Sequence, residues 1–133
     1  MAGLPRDTSS LAKGGLAPWA KRNCLELMHA RLSEDLSLDQ LAAEAGLSLS
    51  HFARMFKRSV GVPPRVYLTH IRIEKACELL ERTDMSVTGI ALEVGYSSNQ
   101  TFGRAFLKRV HVTPGDYRRA LRDQAVLAAA SLR

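Results

Sequence analysis

Apolar residues along this 133-residue chain recur at helical spacing. Leu38, Leu41, Ala42 and Ala45 fall three or four apart and form one stripe of a 3.6-residue helix. Ser37 precedes them as an N-cap with Gln40 three residues on, a capping-box pattern, and Gly46 follows as the αL residue that ends the helix. A second short helix, capped by Ser48 or Ser50, buries Phe52, Met55 and Phe56 and is stopped by Pro63 and Pro64. The plan returns downstream: Ser86, then Ile90, Ala91 and Val94, then Gly95. A helix from about Asn99 follows, burying Phe102, Ala105 and Phe106 and ending before Pro114. Upstream, Pro18 to about Leu32 reads as an amphipathic helix with Trp19, Cys24, Leu27, Met28 and Leu32 inward. Between the two pairs, Arg65 to Arg82 reads as one long helix carrying Val66, Tyr67, Ile71, Cys77, Leu79 and Leu80, with Pro64 near its N1 position. Asp116 to about Ala130 closes the chain's helices. The expected fold is all-α, with about seven helices. Residues 1–17, rich in Gly, Ser and Pro, are expected to form a disordered tail, and 123–133 a helical extension or tail.

The two short helix pairs are copies of each other. Leu36 to Gly46 aligns with Met85 to Gly95, and after one added residue in the second turn Phe52, Arg54, Phe56, Pro64 and Tyr67 meet Phe102, Arg104, Phe106, Pro114 and Tyr117. Two copies are too few to bury the stacked core of a solenoid, so the repeat is a duplicated motif inside one domain. Two helices around a short Gly-containing turn carry the helix-turn-helix signature. The pattern thus gives a first helix-turn-helix at about 37–58, a linker helix at about 65–82 and a second helix-turn-helix at about 86–109. The plainer reading is a pair of ordinary αα-hairpins.

Charge sharpens this picture. The net charge is +6, while 46% hydrophobic and 24% charged residues are ordinary globular values that exclude wholesale disorder and fibres. From Asn23 to Ala45 five acids face one Arg, whereas Gly46 to Arg72 holds Arg54, Lys57, Arg58, Arg65 and Arg72 and no acid. Glu74 to Glu93 is acidic again, and Val94 to Arg122 holds Arg104, Lys108, Arg109, Arg118, Arg119 and Arg122 against Asp116 alone. Each basic block begins at a turn of the repeat and runs through its second helix, so both second helices are expected to meet a polyanion.

The outward residues of those helices have the chemistry to read it. With Phe52 and Phe56 inward, Ser50, Ala53, Arg54 and Lys57 face out; in the second copy Gln100, Gly103, Arg104 and Leu107 do so, with Asn99 at the helix start. Arg binds guanine O6 and N7 in two places at once, Asn and Gln do the same to adenine, and a small apolar group can meet the thymine methyl. Arg54, Asn99, Gln100 and Arg104 are therefore chemically suited to base readout. Lys57, Arg58, Lys108 and Arg109 suit phosphates, as do Ser48, His51, Ser97, Ser98 and Thr101 near the turns. A salt bridge from Arg54 or Arg104 to a nearby Glu is the competing reading.

These stretches resemble the DNA-binding domain of the AraC/XylS family of bacterial transcription regulators. The likeness covers about residues 18–122. It is carried most strongly by IALEVGYSSNQTFGRAFLKRVHVTPGDYRR (Ile90 to Arg119) and also by LAAEAGLSLSHFARMFKRSVGVPPRVYL (Leu41 to Leu68). It implies a homeodomain-like arrangement of two helix-turn-helix subdomains joined by a long helix, with two recognition helices in successive major-groove segments of double-stranded DNA, about 34–36 Å apart. Because the two readers differ in sequence, a monomer is expected on an asymmetric site, unless a missing N-terminal domain dimerises it. The resemblance further implies activation through contact with RNA polymerase and, position by position, base contacts from Ser50, Ala53 and Arg54 in the first unit and from Asn99, Gln100, Gly103 and Arg104 in the second, although Gly103 has no side chain with which to read anything directly. Leu107 and His111 depart from the family's pattern, which has a basic residue and a Gly there.

Other functions find little support. There is no GxSxG, P-loop, HExxH or GxGxxG motif, and His29, His51, His70 and His111 show no ligand spacing, so neither an enzyme nor a metal or cofactor is expected. Cys24 and Cys77 read as free thiols rather than a disulfide. No apolar run approaches the roughly 18–20 residues of a membrane span, and the first 15 residues lack a signal-peptide core, so a cytoplasmic, nucleoid-associated protein is expected. The remaining rival is a helix-turn-helix module that docks on a regulator or polymerase without reading DNA.

Overall fold

The computed structural model describes residues 15–34 and 36–131; of the tail expected over 1–17, residues 1–14 lie outside them. Among the described residues there are seven helices and no strand: α1 (Pro18–Ala30), α2 (Leu38–Glu44), α3 (Leu49–Val60), α4 (Pro64–Arg82), α5 (Val87–Glu93), α6 (Asn99–Val110) and α7 (Pro114–Ser131). The chain divides into two compact units, one ending at His70 and one beginning at Ile71, the division falling inside α4.

In the first unit α2 and α3 make the helix-turn-helix. Ser37 Oγ accepts the Gln40 N–H (3.4 Å) and Ser48 Oγ accepts the His51 N–H (3.3 Å), so Ser48 rather than Ser50 caps α3. α2 ends in a Schellman turn: the Gly46 N–H reaches the Ala43 carbonyl, the Leu47 N–H reaches that of Ala42, and Gly46 takes φ 74°. Phe52 and Phe56 are fully buried, 5.8 Å apart, and Tyr67 of α4 meets Phe56 edge-on at 5.8 Å.

The second unit repeats this construction. Ser86 and Ser98 cap α5 and α6 through the N–H groups of Gly89 and Thr101. The Gly95 N–H reaches the Leu92 carbonyl and the Tyr96 N–H that of Ala91, with Gly95 at φ 100°. Phe102 and Phe106 pack at 5.7 Å, and Tyr117 of α7 meets Phe106 edge-on at 5.6 Å. The same ladder of Phe, Phe and Tyr anchors α3 and α6, and each ring pair contributes about 0.5–1.5 kcal/mol beyond its buried area.

Several sequence expectations need correction. Trp19 is 45% exposed; α1 instead buries Ala20, Cys24 and Met28, which stand four apart in one row. Trp19 lies about 100° off that row, and the small Ala20 fits the close packing better than an indole. Leu16 and Ala17 are buried, and the Leu16 N–H donates to Ser59 Oγ at 2.6 Å, so the chain joins the first unit's core before α1 begins. Ala105 is only half-buried. On α4, Val66 is exposed, while Ile71, Ile73, Ala76 and Leu80 are buried. Ile71 and Ile73 cannot share one stripe, so α4 is covered on more than one side. Both cysteines are free; burial pushes the Cys24 thiol up to about 11.

The second helices of the two units end differently. α3 closes on Gly61 at φ 98°, α6 on His111 at φ 73°, the one non-glycine residue with positive φ among the described residues. A side chain in this left-handed region costs about 1–2 kcal/mol relative to the right-handed one, a cost glycine escapes. His111→Gly is therefore expected to stabilise the protein by about 1 kcal/mol, read as a rise in Tm of several degrees. Gly61→His should do the reverse. An unchanged or lower Tm for His111→Gly would mean that the imidazole makes compensating contacts.

Candidate nucleic-acid interface

The exposed faces of α3 and α6 hold the residues suited to reading DNA. On α3, Ser50, Arg54, Lys57, Arg58 and His51 are exposed and Ala53 half-buried, opposite the row of Phe52, Met55 and Phe56. On α6, Asn99, Gln100, Thr101, Arg104, Lys108 and Arg109 are exposed, Gly103 is half-buried, and Ser97 and Ser98 in the turn are exposed. Neither helix carries an acid in its first turn. No carboxylate of the helix itself offsets the partial positive charge at either N-terminus, which favours an anion there. Ser48 and Ser98 are held as caps, and Ser98 Oγ also donates to Thr101 Oγ1 at 2.9 Å.

Arg54, Lys57, Arg58, Arg104 and Lys108 have no ion-pair partner among the described residues. The competing reading, a salt bridge from Arg54 or Arg104 to a glutamate, is absent there. Other members of the two basic blocks are engaged within the protein. Arg119 pairs with Asp116 (3.2 Å), Arg122 with Asp84 (2.8 Å), and the Arg72 guanidinium lies 5.6 Å from the centre of the Tyr96 ring.

Arg118 has a different task from the one its charge suggests. Its guanidinium donates to three backbone carbonyls, Leu80 (3.0 Å), Met85 (2.7 Å) and Thr83 (3.1 Å). The first and third belong to the C-terminal end of α4 and the residue after it, where carbonyls lack helical partners; the second belongs to the residue before the α5 N-cap. Arg118 thus ties α7 to the connector that launches the second helix-turn-helix. The sequence carried one signal for this: Arg118 stands where the first copy has Leu68.

Asn99, Gln100, Gly103 and Arg104 are brought together around an open concavity of about 610 Å³ on α6. Leu107, 47% exposed, belongs to the same concavity and stands where the first copy has Lys57. Space above Gly103 is open: a Cβ built there would meet nothing within 4 Å. No described helix is long and apolar enough to cross a membrane.

Comparison with known proteins agrees with this geometry. Residues 41–120 match a family model described as a helix-turn-helix domain. The HTH-type transcriptional regulator MtrA of Neisseria gonorrhoeae is 34% identical over 119 residues, covering 87% of this chain but 40% of its own length. An AraC-type DNA-binding domain protein of Chromobacterium violaceum has a similar structure (TM-score 0.70, 31% identity, covering 75% of this chain and 89% of that one). So does the DNA-binding domain of AdpA, solved in complex with a target DNA (TM-score 0.75, 29% identity, covering 78% and 94%). The chain spans less than half the length of MtrA. With the matched stretch covering more than half of the sequence and both helix-turn-helix units in place, the chain belongs to the AraC/XylS family of DNA-binding transcription regulators.

Proposed function

We propose that this chain binds a specific, asymmetric duplex DNA site as a monomer by laying α3 and α6 in the major groove. Arg54 and Arg104 read guanine, Asn99 and Gln100 read adenine, and Ser50 and Ala53 contribute closer contacts in the first unit. Lys57, Arg58, Lys108 and Arg109, with Ser48, His51, Ser97, Ser98 and Thr101, hold phosphates. The observation that carries this reading is that Arg54, Lys57 and Arg58 on α3 and Arg104 and Lys108 on α6 are exposed and have no ion-pair partner among the described residues. Leaving such charges unpaired has no structural benefit, while each phosphate contact releases counterions. The resemblance of the chain to a family of regulators supports transcription activation through contact with RNA polymerase as its output.

Selection of binding sites from a random DNA pool, followed by titration at several salt concentrations, tests the reading. A single asymmetric consensus is expected, with log affinity falling linearly against log salt. Lys108→Ala should make that slope shallower by roughly 0.9 without altering the consensus. No duplex binding at low salt would instead mark a protein-docking module, and binding without preference among duplexes a sequence-independent DNA binder.

A further inference from the structure

The α6 concavity is lined mainly by apolar groups on an otherwise polar, cationic face. Val87 at the start of α5, Gly103 and Leu107 on α6 and Pro114 at the start of α7 form it together with Asn99, Gln100, Arg104 and Thr113. An exposed leucine by itself needs no explanation. Leu107, however, stands beside Arg104 and next to the bare backbone of Gly103, at the position where the first copy has a lysine. The polar edges that DNA presents in the major groove are hydrogen-bond donors and acceptors, and thymine's C5 methyl is the apolar group among them. A donor or acceptor placed against Leu107 and Gly103 would lose its water without gaining a partner; a methyl would not.

We infer that the notch formed by Gly103 and Leu107 receives the C5 methyl of one thymine, making these two residues determinants of specificity. This rests on the major-groove reading proposed above. Gly103 contributes by what it lacks: with no Cβ, the helix backbone can come close enough for Leu107 to close over the methyl. Gln100, on the same rim, is suited to the adenine of the same base pair. Gly103 thus reads through the room it leaves, and the low helix propensity of glycine is the accompanying cost.

The test is a methyl-deletion scan. In the selected duplex each thymine is replaced in turn by deoxyuridine, which removes the C5 methyl and leaves base pairing intact, and affinity is measured by fluorescence anisotropy. Losing one buried methyl should weaken wild-type binding about three- to fivefold at one thymine. Leu107→Ser should abolish that difference. Gly103→Ala should abolish it while raising the melting temperature, because alanine is the better helix former and its Cβ has open space; a loss of discrimination in a more stable protein cannot come from unfolding. Uniform tolerance of deoxyuridine, or a methyl effect unchanged in both variants, overturns the inference and leaves the DNA-reading proposal standing. Failure of the wild-type chain to bind any duplex overturns both.

Discussion

Arg118→Ala is expected to destabilise the protein by about 3 kcal/mol, the largest effect of any single substitution of an arginine here. Charge-assisted hydrogen bonds are worth about 1.5–3 kcal/mol each, and a buried acceptor stripped of its donor costs about 1–3 kcal/mol. Arg118 serves three carbonyls, all in partly buried bonds. Their losses will not add fully, because water can reach part of the connector. For a small domain about 3 kcal/mol lowers Tm by roughly 12–24 °C. Arg118→Lys should recover a minority of this: an ammonium carries three donors, but without the planar fork that meets carbonyls on three sides. Arg122→Ala is the control. Its ion pair with Asp84 is exposed on both sides, so a change below about 1 kcal/mol is expected. Thermal melts of the three variants decide the matter. Equal Tm losses for Arg118→Ala and Arg122→Ala would refute a capping role.

Arg104→Ala is expected to weaken binding to the selected site by about 1–3 kcal/mol, roughly 5- to 150-fold, and to relax preference at one base pair. Arg104 is exposed and has no ion pair among the described residues, so stability should hardly change. Arg104→Lys separates two mechanisms. A lysine keeps the positive charge and hence most of the phosphate attraction, but it cannot present two parallel donors to guanine O6 and N7. Preference at that base pair should therefore relax nearly as far as in the alanine variant, while non-specific affinity and its salt slope remain close to wild type. If Arg104→Lys retained full sequence preference, Arg104 would be a phosphate contact. The parallel substitution Arg54→Ala should act on a different base pair of the same site, because it stands on the other recognition helix.

Both candidate helices were legible from the chain alone because their signals are local. A cap serine, an apolar stripe and a glycine within eleven residues specify a short helix and its end, and Ser37, Leu41, Ala42 and Gly46 do so in one copy as Ser86, Ile90, Ala91 and Gly95 do in the other. The duplication reinforced each reading. Closely similar edge-on ring geometry at Phe56–Tyr67 and Phe106–Tyr117, within 0.2 Å in centroid distance, is what a repeat of Phe and Tyr at fixed spacing predicts. Arg54 and Arg104 were legible for the same reason: helical arithmetic turns them away from the buried phenylalanines.

Misreadings arose where a residue's role depends on what approaches it. Trp19 looked like a core residue by hydrophobicity, yet the close neighbour of α1 is met through Ala20, Cys24 and Met28. Arg118 and Arg122 looked like part of a DNA-facing charge cluster, yet both reach residues more than 30 positions earlier in the chain. Nothing in local sequence encodes such a long-range carbonyl cluster, apart from the exchange of Leu68 for Arg118 between the copies.

By itself, then, the sequence determined the seven helices, the two turns and the residues facing away from each aromatic ladder, because periodicity, capping and glycine act over a few residues. Only the tertiary structure decided which of the basic residues are available to a partner. A cation's availability depends on whether a carboxylate, an aromatic ring or a helix end lies within reach, and those groups come from distant parts of the chain. The concavity at Gly103 and Leu107 belongs to the same class, since its walls come from α5, α6 and α7 together.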